Sequence, residues 1–179
     1  MTQAHRLPRA ALGARVLALA LAAHGTAFAG KAHEHGVVKI DVAVDGATLT
    51  VTLDTPLDSV LGFERAPRTP AERRAADEAL ARLRDAAGLF TPSAAAACTA
   101  VPPEVKAPVL EASPPAQKDG HADLEATYTW RCEQPAQLRE LGLKLFASFP
   151  RMQRIEAQVA GATAQKKLTL RRPASKLPL

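Results

Sequence analysis

Three histidines lie beyond residue 29, at positions 33, 35 and 121, and two of them share the hexapeptide KAHEHG (31–36). Imidazole nitrogen binds zinc at about 2.0–2.1 Å and carboxylate oxygen at about 2.0–2.2 Å, so a site needs such side chains aimed at one point. In an extended chain, residues i and i+2 project to the same side about 6–7 Å apart. His33 with His35, and separately His121 with Asp123, satisfy that spacing. Glu64, in GFERAP, and Glu125, two residues beyond Asp123, are additional acids. The same patterns also describe a solvated N-terminal tail and the polar face of a strand, and spacing alone does not separate these readings.

Catalytic chemistry has less to stand on. Ser59, Ser93, Ser113 and Ser148 lie in no G-x-S-x-G elbow, and no glycine-rich loop opens a helix as phosphate binding requires. A hydrolytic metal centre needs an open coordination position and a base; Glu34 or Glu125 could serve, but nothing marks either. The expectation is a protein that is not an enzyme.

Elements must position these groups. Residues 1–29 carry Arg6, Arg9 and Arg15, an apolar run from Val16, and Ala27-Phe28-Ala29, the pattern of a secretory signal with an A-x-A cleavage site. The apolar run is interrupted by His24 and Gly25 and is shorter than the roughly 20 residues a bilayer span needs. The expected product is soluble and periplasmic or secreted, with no membrane insertion after the signal is removed. Cleavage after Gly30 instead would start the chain Lys31-Ala32-His33, whose free amine and imidazole suit copper or nickel.

Three of the 23 basic residues lie in that leader and none of the 18 acidic ones does, which leaves a net charge of about +2. Arg73-Arg74 and Arg171-Arg172 are isolated pairs without aromatic platforms, so nucleic acid is not an expected partner. The two cysteines, Cys98 and Cys132, are an even pair in an exported chain and are expected to form a disulfide.

Apolar residues alternate through 37–54 on both sides of Asp45-Gly46, which predicts a hairpin burying Val38, Ile40, Val42 and Val44 with Leu49, Val51 and Leu53. Thr69-Pro70-Ala71-Glu72 reads as a helix start with a capping box, and Ala76, Leu80, Leu83 and Ala87 give one main helix over about 70–87, stopped by Gly88. Pro102-Pro103 either divides or breaks a strand in CTAVPPEVKAPVLEA. HADLEATYTWRC alternates strictly, with Leu124, Ala126, Tyr128, Trp130 and Cys132 inward, and predicts a core strand. A short helix over about 135–141 and a last hairpin around Gly161 complete the reading, with LKLFASFP ambiguous between strand and helix. The fold class is α+β, a mainly antiparallel sheet of about six to seven strands. It comprises a signal peptide (1–29), one domain (30–172) and a loose tail (173–179).

On this reading His33, His35, His121, Asp123 and Glu125 point away from the core. If their strands are neighbours, three imidazoles and a carboxylate converge outside the sheet. A bend at Gly36 would break that parity.

Four stretches read in order, HEHGVVKIDVAVDG, LGFERAPRTPAER, GHADLEATYTWRC and FPRMQRIEAQV with Gln165-Lys166, resemble the zinc-regulated periplasmic ZrgA-like family, long catalogued as a domain of unknown function. The resemblance implies a zinc-binding protein accessory to an ABC-type zinc uptake system, with importer components as partners. It places the family's His motif on His33 and His35, its GH-x-D motif on His121 and Asp123, and its GFE acid on Glu64. Arg65 stands where family members commonly have His, and a cation there would repel Zn²⁺ if it pointed at the site. The loop SPPAQKDG lacks the His/Asp-rich insertion many members carry, which limits the expectation to at most one zinc per chain. The alternative is a metal-independent envelope interaction or scaffold domain.

Overall fold

The computed structural model describes residues 34–111, 122–162 and 164–179. The predicted leader, His33, His121 and the loop before His121 lie outside them.

Alternation sets the first hairpin. β1 (Val37–Asp45) and β2 (Thr48–Pro56) pair from Asp45↔Thr48 to Lys39↔Asp54, with Gly46-Ala47 as the two-residue turn. Gly46 takes φ +53°, a conformation that costs glycine nothing because it has no Cβ. Val38, Ile40, Val42, Leu49, Val51 and Leu53 are buried as predicted, while Val44 is half-buried.

A single turn, α1 (Asp58–Leu61), leads to α2 (Pro70–Arg84). Thr69 Oγ1 accepts from Glu72 N at 3.1 Å, and Glu72 accepts in return from Arg68 N, one residue earlier than in a standard capping box. The helix ends sooner than predicted. Asp85 leaves helical geometry and accepts from Gly88 N at 2.9 Å, so a separate turn, α3 (Ala86–Leu89), begins, and Gly88 lies inside it. Ala76, Ala79 and Leu83 are buried, and Ala79 and Leu83 belong to the main core.

β3 (Phe90–Pro92), β4 (Cys98–Lys106), β5 (Asp123–Cys132), β6 (Glu140–Leu143), α4 (Leu145–Ser148), β7 (Arg154–Ala160), β8 (Gln165–Arg171) and β9 (Lys176–Pro178) follow. Six strands form one sheet in the order β4-β5-β2-β1-β7-β8, antiparallel except for β1 beside β7; the other three form a small sheet, β3-β6-β9. The fold class is therefore the predicted α+β with one main helix. The described strands number nine because the second sheet uses strands of three or four residues, too short for alternation to announce.

Pro102-Pro103 is accommodated in β4 by its edge position and by a register slip between Val101 and Glu104. Cys98 pairs across to Cys132, and the two form the expected disulfide. The core lies on one face of the large sheet. There Phe90 sits 4.8 Å from Tyr128, ring to ring, and Tyr128 donates its hydroxyl to Leu83 O at 2.9 Å, joining β5 to the end of α2. Burial pushes the Tyr128 phenol well above its ordinary pKa. The opposite face is polar: Lys106, Glu125, Asp54, Lys39 and Glu156 lie in register across five strands, alternating in sign apart from the adjacent acids Glu125 and Asp54.

Two expectations are corrected here. The helix expected over 135–141 is one 3₁₀ turn, Pro135–Gln137, followed by β6, because Leu141 and Leu143 alternate into the core. The tail from Pro173 is not loose: Leu177 is fully buried, and β9 pairs with β6.

Candidate functional site

At the Val37 end of β1 the chain does not run on extended. Val37 N donates to Glu34 O at 3.0 Å, closing a four-residue turn with Gly36 at φ +79° in its third position, the place where a type II turn demands glycine. A side chain there would meet Arg151 O and Gln153 Cγ at 3.3 and 3.2 Å. The bend breaks the parity that would have kept His35 on the outward row.

The turn is held from several directions. Gly36 N donates to the buried Ser59 hydroxyl at 2.9 Å, and Gly36 O accepts from Gln153 N at 2.7 Å and Arg154 N at 3.0 Å. The Glu34 carboxylate takes both terminal nitrogens of Arg154, at 2.6 and 3.3 Å, and chiefly this bonding raises the guanidinium's pKa above its ordinary value. The described part of KAHEHG is thus a docked turn and not a solvated tail.

His35 is aimed at two carboxylates. Its Nε2 lies 3.2 Å from Glu64 Oε1 and its Nδ1 lies 3.6 Å from Asp58 Oδ2. The imidazole is 60% exposed, while the Glu64 and Asp58 side chains are 12% and 21% exposed. Asp58 opens α1. Gly62 closes it at φ +85°, a left-handed conformation that favours glycine, with the Arg151 guanidinium packed over it. That tight exit carries the chain through Phe63 into Glu64.

Arg65 does not point at the site. It pairs with Glu72 through two hydrogen bonds and lies 5.0 Å over the Phe63 ring. The Glu72 hydrogen bond raises the Arg65 pKa, and in turn the Glu72 carboxyl is lowered to about 2, first by Arg65 and then by Arg68 N.

The remaining predicted residues are placed as follows. Asp123 opens β5 opposite Pro56 of β2. β2 therefore lies between β1 and β5, so the condition that the strand following His35 and the strand of Asp123 be neighbours is not met: two strand spacings separate those strands, about 9–10 Å. Glu125 lies 3.7 Å from Lys106, whose pKa is raised chiefly by Glu104. Glu34 and Glu125, the two acids considered as bases, are each paired with a cation. His33 and His121 fall outside the described residues, as does the amine that a cut after Gly30 would expose. Asp58 and Ser59 were missed, since no motif or spacing in the sequence ties them to His35. Among the described residues, no three His, Cys, Asp or Glu side chains close around one point as a metal-holding group.

The fold and this donor set define a class: an α+β domain presenting an exposed imidazole between two carboxylates at one end of its large sheet. Residues 32–179 match the family described as ZrgA family zinc uptake protein, and the chain belongs to that family. Its role is therefore tied to zinc uptake. No curated protein matches the sequence significantly. Among the described residues no helix is long and apolar enough to cross a membrane.

Proposed function

We propose that the protein is an exported, periplasmic zinc carrier that takes one Zn²⁺ on His35 Nε2 and Glu64 and passes it to components of an ABC-type zinc importer. The leader-like pattern of residues 1–29 and the Cys98–Cys132 disulfide support export. The observation that carries the zinc assignment is the 3.2 Å separation of His35 Nε2 from Glu64 Oε1. Two ligand atoms sharing a tetrahedral zinc at its usual bond lengths stand about 3.3 Å apart, so this pair needs almost no movement to close on the ion.

An imidazole binds zinc through one nitrogen and commonly gives the other N–H to a carboxylate that fixes the ring. Asp58, on the Nδ1 side, is suited to that orienting role. Leu57 N, beside Asp58, donates to Ala122 O at 2.8 Å, so the chain leading back to His121 departs from this same end of the sheet. His121 and Asp123, with His33 adjoining Glu34, are the proposed sources of the other ligands. The role is carriage and not catalysis.

Isothermal titration of the mature protein with zinc tests this. A dissociation constant tighter than about 10 μM, roughly −7 kcal/mol, is expected. His35→Ala and Glu64→Gln should each weaken it by about tenfold or more, Asp58→Asn by about tenfold, and Glu125→Gln should leave it unchanged. Weaker binding that is indifferent to alanine at His33, His35 and His121 would overturn the proposal.

A further inference from the structure

We infer that Arg154 is the positioning residue of the zinc-carrying turn, and that Glu34, set between the two histidines of HEH, is the handle it grips and not a zinc ligand. This rests on the zinc reading above. Arg154 touches the turn on both sides of His35. Its side chain binds the Glu34 carboxylate at 2.6 and 3.3 Å, and its backbone N–H donates to Gly36 O at 3.0 Å. With the residue before and the residue after both fixed on one strand end, His35 keeps only its own side-chain rotations. Ordering a site before the ligand arrives removes part of the entropy cost of binding.

The grip is itself supported. Arg154 is only 21% exposed, and it also donates Nε to Glu156 Oε1 at 3.2 Å. Glu34 and Glu156 together neutralise a cation that would otherwise oppose Zn²⁺. Both Glu34 oxygens are engaged in charge-assisted bonds, so recruiting this carboxylate as a ligand would mean breaking the pair. Arg154 is the first residue of β7 and pairs with Val37, so its place comes from the sheet and not from the turn it holds.

The test measures zinc affinity and thermal unfolding of the mature protein with Arg154→Ala, Arg154→Lys, Glu34→Gln and the double variant Glu34→Gln/Arg154→Ala. A backbone N–H survives in every variant. Arg154→Ala and Glu34→Gln should each weaken zinc about five- to tenfold, with the double variant no weaker than either. Lysine, a single-point donor, should recover part of the loss. Two results would each overturn the inference: Arg154→Ala within twofold of wild type while His35→Ala abolishes binding, or Glu34→Gln abolishing binding where Arg154→Ala does not. Wild-type protein that fails to bind zinc would instead strike the carrier reading itself.

Discussion

Arg65 lays its two terminal nitrogens on the two oxygens of Glu72, at 2.9 and 2.8 Å, and so turns the cation next to Glu64 away from the imidazole that Glu64 faces. The Arg65 guanidinium is thus held by the first turn of α2.

The pair also sets an acid limb of stability. Glu72 is held at about 2 in the folded chain against 4.5 for the free group. A carboxyl depressed on folding contributes stability that is complete above its unfolded pKa and is lost as pH falls toward the folded value. Glu72→Gln is therefore expected to remove part of the decline in stability between about pH 4.5 and 2. Urea unfolding of wild type and variant across that range checks it; parallel curves would show that the pair is uncoupled from folding.

Reduction of Cys98–Cys132 opens a separation of 34 residues. The chain-entropy model gives about 3–4 kcal/mol for a loop of that length. The double serine variant should lose about that much in chemical denaturation, while dithiothreitol should shift the wild-type midpoint and leave the variant's unmoved.

Leu177, two residues from the end of the chain, has no exposed surface and belongs to the main core. Leu177→Ala is expected to cost about 2–4 kcal/mol. A loss below about 0.5 kcal/mol in thermal or denaturant unfolding would show that β9 contributes little to the folded state.

Legibility in the sequence followed the range of the interactions. The β1–β2 hairpin, the inward row of β5 and the start of α2 were legible because their patterns are local: alternation with period two, and a cap four residues long. The disulfide is legible from the cysteine number and the compartment that the leader-like pattern leads one to expect. β3, β6 and β9 were not, since three or four residues carry no periodicity. The site was half legible. His35 and Glu64 stand out by type, and Gly36 marks where the outward parity can break. The bend there is fixed by Ser59, Gln153 and Arg154, which stand 23 to 120 positions from the residues they hold. Asp58 gave no local signal at all.

The parallel pairing of β1 with β7 has a consequence in time. A chain that emerges N-terminus first presents His33 and His35 early, but the strand that grips the turn arrives about 120 residues later, and contacts this distant in sequence carry a loop-closure cost. The turn cannot gain the bonds from Gln153 and Arg154 until nearly all of the domain has been made. An intact histidine turn is thus a mark of completion: partly made or truncated chains carry the histidines without the geometry.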